Sequence, residues 1–169
     1  MSKITNLEEL LVDELRDLHD AENRLVKALP KMAKAASNPS LREGFELHLE
    51  QTKGHVERLE RAFAILDETP KSKTCHAMKG LVEEGEEAID LNAPDSIRDA
   101  DLIGAAQRVE HYEMAAYGTA RAFAETLGLD DVAKLLQETL DEEGETNKKL
   151  TALATTVNKE AEAAASAAE

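Results

Sequence analysis

The stretch SLREGFELHLEQTKGHVERLERAFAIL, residues 40–66, decides the fold class. Its apolar residues Leu41, Phe45, Leu49, Val56, Leu59, Phe63 and Leu66 recur every three or four positions, the period of an α-helix with one face turned to a core. Ser40 followed by Glu43 has the spacing of a capping box, in which each side chain satisfies an amide left unpaired at the helix start. Thr69-Pro70 breaks the pattern. A segment of this length is too long for a strand and predicts a helix about 40 Å long. One feature disturbs it: His48, Thr52 and His55 follow i, i+4, i+7 along a line beside the apolar stripe, with Gln51 adjoining.

Outward from this segment the same period repeats. Upstream, Thr5 with Glu8 opens a helix carrying Leu7, Leu11, Leu15, Leu18, Leu25 and Leu29, which runs to about Ser37 through an expected kink at Pro30. The Asn38-Pro39-Ser40 turn then sets the first two helices antiparallel. Downstream, Ser96 with Asp99 opens a third long helix bearing Leu102, Ala105, Ala106, Val109, Ala116, Ala120 and Phe123, ended by Gly128. Asp130 or Asp131 caps a fourth, with Val132, Leu135, Leu136, Thr139, Leu150, Leu153 and Val157 on its inner face. Between the second and third lies a long crossover, residues 68–95, with a short helical pattern in Met78, Leu81, Val82, Ala88 and Ile89. Two αα-hairpins joined by one long connection give an all-α, ferritin-like four-helix bundle, although other crossover bundles fit the same pattern. One domain is expected over residues 1–160, with an Ala/Glu-rich tail at 161–169 that frays.

Composition narrows the function classes. Aromatic residues make up 3% of the 169, Trp is absent, and there are 8 Gly and 4 Pro, which disfavours sandwiches and barrels. No apolar run reaches the roughly 18 residues of a membrane span, the N-terminus lacks an apolar leader segment, and the single Cys75 has no intramolecular partner. A cytoplasmic protein is expected. Twenty Lys and Arg against 35 Asp and Glu give a net charge of −15, which disfavours nucleic acid and anionic membrane as partners. The acidity suits either a solvated helical surface or cation binding. Phosphate loops, nucleophile elbows and paired redox thiols are absent from the sequence.

The polar interruptions point to the cation. Glu22 sits between Leu18 and Leu25 on helix one; Glu110 and Glu113 are spaced i, i+3 on helix three; Glu143, with Glu142, Thr146 and Asn147 nearby, lies on the inward register of helix four. Each falls near the middle of its helix, so antiparallel hairpins bring Glu22, His48, His55, Glu110, Glu113 and Glu143 to one level. The plainer alternative puts each acid on a solvated face and pairs the imidazoles with carboxylates. Converging carboxylates in a core need a counter-charge, and oxygen plus imidazole donors suit Fe, Mn or Zn. Gly54 and Gly144 adjoin His55 and Glu143, where close packing is expected to justify them. Tyr112 and Tyr117 fall near the layer as hydrogen-bond donors to the ligands or interceptors of oxidants. His76 and His111 read as surface residues, and Cys75-His76-Ala77-Met78 as part of an exposed crossover.

Four stretches, Asp17-Leu18-His19-Asp20-Ala21-Glu22, His48-Leu49-Glu50-Gln51-Thr52, Val109-Glu110-His111-Tyr112-Glu113-Met114-Ala115-Ala116-Tyr117 and Glu138-Thr139-Leu140-Asp141-Glu142-Glu143, resemble the YciE/YciF stress proteins, a ferritin-like bacterial family. The resemblance is closest to the YciF branch and covers nearly the whole chain. It implies a bundle related to rubrerythrin, a homodimer, an Fe or Mn site of one or two ions at Glu22, Glu110, Glu113 and Glu143, and a link to bacterial stress responses. The chain departs from the pattern at Gln51, where the family often has a carboxylate, and it lacks the Glu-x-x-His motif of the wider di-iron group. Three functions follow as expectations: a redox or storage metalloprotein; a non-catalytic structural or interaction protein with a degenerate site; and, by architecture alone, a peroxide-degrading enzyme of the manganese-catalase kind.

Overall fold

The structure, a computed structural model, describes residues 4–71 and 73–166. Among these residues there are five helices and no strand: α1 (Leu7–Ala35), α2 (Pro39–Ile65), α3 (His76–Ile89), α4 (Asp95–Thr126) and α5 (Asp130–Ser166). None of them is long and apolar enough to cross a membrane. Helix α1 continues through Pro30, whose side chain is exposed. Helix α5 continues to Ser166, through most of the segment read as a fraying tail, and Ala161 is buried; residues 167–169 lie outside the described residues.

The helix starts differ from the sequence reading in a consistent way, because asparagine takes the cap wherever it competes with serine or threonine. Asn6, not Thr5, caps α1: its side chain accepts from the Glu9 amide at 2.8 Å, while the Thr5 amide and hydroxyl donate to the Glu9 carboxylate at 2.6 and 3.0 Å. Asn38 caps α2 by accepting from the Ser40 and Leu41 amides, with Pro39 in the first turn where no amide partner is needed. Helix α4 starts at Asp95 without a side-chain cap. Asp99, read as half of its capping box, instead reaches across the fold and accepts from the Ser37 and Asn38 amides at 2.9 and 2.7 Å. At the other end of α4, Gly128 adopts φ +71°, the left-handed conformation expected just past a helix end.

Two apolar clusters define how the rods are arranged. One joins the C-terminal half of α1, the N-terminal half of α2, the N-terminal half of α4 and the C-terminal half of α5, through Leu29, Phe45, Leu102 and Leu150. The other joins the opposite halves, through Leu15, Phe63, Tyr117 and Leu136. This distribution makes both hairpins antiparallel and requires the connection from α2 to α4 to travel the length of the bundle, which is the ferritin-like wiring. Helix α3 lies on that path and packs Met78 and Ala88 against the first cluster. Cys75 is therefore not exposed as expected. It is buried, caps α3 by accepting from the Met78 amide, and sits 3.0 Å from the Tyr112 hydroxyl, which donates to Asp17. The packing role expected of Gly54 is also overturned, since a Cβ there would meet nothing within 4 Å; at Gly144 it would make ordinary contact with Met114 Sδ at 4.0 Å.

Asp99→Ala leaves the Ser37 and Asn38 amides without their acceptor. It is expected to lower stability by about 1–3 kcal/mol in urea unfolding, with Asp99→Asn intermediate because one acceptor oxygen survives.

Candidate metal centre

Between the two apolar clusters each of the four long helices contributes polar side chains at one level. On α1 Glu22 follows Leu18 of one cluster and precedes Leu25 of the other; on α2 His48, Thr52 and His55 lie between Phe45 and Leu59; on α4 Glu110 and Glu113 lie between Val109 and Tyr117; on α5 Thr139 and Glu143 lie between Leu136 and Leu150. All six candidate residues are buried, none more than 3% exposed. His76 and His111 are exposed.

The six form two groups whose donor atoms lie within 4.8 Å of one another: His48, Glu110, Glu113 and Glu143; and Glu22, His55 and Glu143. Glu143 belongs to both. Its Oε1 is 3.0 Å from His55 Nδ1 and its Oε2 is 3.8 Å from His48 Nε2, so its two oxygens face different groups. His48 Nε2 is also 3.3 Å from Glu110 Oε1, and His55 Nδ1 is 3.4 Å from Glu22 Oε1. These approaches are close but poorly directed. His55 Nδ1, both ring nitrogens of His48, both oxygens of Glu113 and Glu143, Glu22 Oε2 and Glu110 Oε2 are buried without a hydrogen-bond partner. Tyr117 is the exception among the neighbours, donating its hydroxyl to Glu22 Oε1 at 2.5 Å. Orphaned atoms at this density are costly in a core, about 1–3 kcal/mol each, and their lone pairs converge as a cation requires.

The second ring nitrogen of His55 is held from outside the layer. Arg58 grips both oxygens of Glu142 at 2.8 Å, and Glu142 Oε2 lies 2.8 Å from His55 Nε2. The Arg58 guanidinium keeps Glu142 below the usual carboxylate range, so Glu142 is ionised and can only accept. His55 Nε2 therefore carries the hydrogen, and Nδ1 turns to Glu22 and Glu143. A carboxylate fixing the far nitrogen of an inward imidazole is the usual support of a metal-ligating histidine.

Electrostatics inside the layer split the groups. Burial, reinforced by Glu143, pushes Glu110 and Glu113 well above the ordinary carboxylate range. Burial raises Glu22 as well, against the opposing pull of His55. Burial also works against an ionised Glu143, but His55 and His48 outweigh it and Glu143 is lowered. For His55 burial favours the neutral ring, yet Glu143 and Glu22 push it up to about 10, whereas burial holds His48 below the usual histidine range. Free of a cation, the layer resolves its charge as a His55–Glu143 ion pair beside protonated Glu110 and Glu113.

One feature of the centre was missed in the sequence. Arg58 lies outside any inward register, and its pairing with Glu142 becomes visible only when α2 and α5 are adjacent. Thr52 is fully buried three residues before His55, the spacing at which Glu-x-x-His would place its acid, while Gln51 is only half-buried. The Thr52 hydroxyl turns back to the His48 carbonyl at 2.8 Å and offers the layer no charge.

The family described as Domain of unknown function (DUF892) matches residues 6–163. Protein YciF of Escherichia coli (strain K12) is 46% identical over 158 residues, 92% of this chain and 95% of that protein. The crystal structure of the E. coli stress protein YciF superposes with a TM-score of 0.89 at 43% identity, covering 92% of this chain and 99% of that one. YcfI of Rhodopseudomonas palustris gives 0.85 at 43% identity, over 88% and 95% of the two chains. A protein of Xanthomonas campestris at 21% identity and TM-score 0.70 shares the fold.

Glu113 yields a signed pH prediction for metal-free protein. Its native pKa is raised, so the folded state keeps a proton that the unfolded chain releases above about pH 4.5, and stability falls as pH climbs past that value. Glu113→Gln removes this loss. Its melting temperature is expected to match wild type near pH 4 and to exceed it by about 2–6 °C at pH 8 in calorimetry.

Proposed function

We propose, since this chain belongs to the DUF892 family and is YciF-like over most of its length, that its buried layer binds iron or manganese in a bacterial stress response. The observation that carries the reading is the set of orphaned, convergent lone pairs on Glu22, His48, His55, Glu110, Glu113 and Glu143. The donor set fits the group: hard carboxylate oxygens with two imidazoles suit Fe or Mn, and the only thiol, Cys75, is engaged at the start of α3.

Glu143 would serve both groups through separate oxygens, with Glu22 and His55 completing one side and His48, Glu110 and Glu113 the other. Bound iron or manganese supplies one-electron redox chemistry, which suits an oxidant-linked or storage role. Around it the protein's own groups hold protons at defined atoms. Tyr117 donates to Glu22 Oε1, Arg58 and Glu142 keep the hydrogen of His55 on Nε2, and the apolar clusters above and below exclude water. Metal entry would expel the protons held by His55 Nδ1, Glu110 and Glu113. A homodimer and a cytoplasmic location belong to the same proposal.

One observation favours a second reading. Thr52 stands at the spacing where Glu-x-x-His would carry an acid and turns its hydroxyl to the His48 carbonyl, as expected of a non-catalytic structural or interaction protein with a degenerate metal site. YcfI of Rhodopseudomonas palustris, provisionally described as a structural protein, is of comparable similarity.

The two readings diverge in a melting experiment on chelator-stripped protein. At a hundredfold excess over Kd, Mn(II) or anaerobic Fe(II) is expected to stabilise wild type by about 2.7 kcal/mol and to leave Glu143→Gln unmoved. Elemental analysis of protein from iron- and manganese-supplemented cells is expected to give one or two equivalents. Indifference of wild type to both metals would leave the scaffold reading standing.

A further inference from the structure

A cleft between α2 and α5 reaches from the surface to the His48–Glu110 side of the layer. Its walls are mostly carbon, from Leu25 and Met32 of α1, Phe45 of α2, Val109 of α4 and Leu150 of α5, and Gln51 of α2 and Thr146 of α5 line it as well. At the rim stand Gly44 and Lys149, both exposed, and Leu47, which is 52% exposed. At the inner end are His48 and Glu110, each at least 97% buried, with both ring nitrogens of the one and Oε2 of the other unpartnered. In the opposite half of the bundle Leu15, Phe63 and Leu136 pack together in the second apolar cluster.

Size and polarity together select the occupant. The cavity holds about 50 Å³. One water needs about 10–15 Å³ on this measure, and a cavity that accepts benzene is about 150 Å³, so the space is too small for an aromatic ring or an acyl chain. It suits two or three heavy atoms. Carbon lines most of the cleft and rejects ions, and the polar partners a water would need are confined to Gln51, Thr146 and the inner end at His48 and Glu110; the net charge of −15 further repels anions from the mouth.

We propose that this cleft is a binding site and entry route for a small nonpolar gas, of the size and polarity of dioxygen, which it delivers to the His48–Glu110 face of the layer. The use made of the gas at the layer rests on the metal reading above; the site itself does not. Gly44 controls the mouth. A Cβ there meets nothing within 4 Å, so a larger residue fits at the rim without displacing a neighbour and is expected to narrow the mouth. Leucine also favours a helix over glycine at this position, and folding is preserved.

Dissolved dioxygen is itself the probe. In full-length, chelator-treated protein under oxygen pressure, its paramagnetism is expected to speed methyl proton relaxation at Ala106 and Leu150, which line the cleft, about threefold or more relative to Ala133 and Leu135, buried to a similar degree in the opposite half-core. In Gly44→Leu that excess is expected to vanish while the melting temperature holds or rises. Equal relaxation in both half-cores, or an excess unchanged by Gly44→Leu, would overturn the proposal. Because the metal is removed, failure of metal binding in the melting experiment leaves this result unaffected, and the two readings fall separately.

Discussion

Four carboxylates and two imidazoles are sealed into one level of a helical bundle, and the rest of the structure is arranged around the charge they cannot all carry. Ionised together they would concentrate negative charge where solvent does not reach, at a cost of several kcal/mol per unpaired group. The chain answers in two ways at once. Locally, protons settle on Glu110 and Glu113 and an ion pair forms between His55 and Glu143. Globally, two separate apolar clusters above and below the level hold the helices in the register that makes the six groups meet. A core of this composition would be more stable if the layer were leucine, so the layer is a feature that stability alone does not explain.

The same constraint orders the surroundings. Arg58 and Glu142 have no place in the layer, yet they determine which nitrogen of His55 faces it. Asp99 ties the first hairpin to the start of α4, the end of the bundle where the long crossover returns. Thr52 lies in the layer without bringing charge, turning its hydroxyl onto its own helix instead. The cleft reaches the layer at His48 and Glu110, so that face has an opening beside it.

Much of this was legible in the sequence. The stripes from Leu7 to Leu29 and from Leu41 to Leu66 fixed the first hairpin, and the long span from residue 68 to 95 fixed the wiring, because no short loop could start α4 at the far end. Glu22, His48, His55, Glu110, Glu113 and Glu143 stood out because each interrupts an apolar line in mid-helix, and a 3.6-residue period carries that interruption into the core. The helix starts slipped by a residue or so, since Asn6 and Asn38 outcompete the neighbouring hydroxyls and the spacing of a capping box does not register that competition. Cys75 was misplaced because the path of the crossover over the bundle is a tertiary fact, written in no local pattern. Arg58 was missed for the same reason, as its meaning depends on a partner more than eighty residues away.

Anomalous scattering at the iron and manganese edges, from crystals grown with each metal, tests the central claim most directly. The account predicts density flanking Glu143, ligated by Glu22 and His55 on one side or by His48, Glu110 and Glu113 on the other. Crystals grown in either metal that show ions only on exposed carboxylates, with the six buried groups bridged by protons and water, would contradict it.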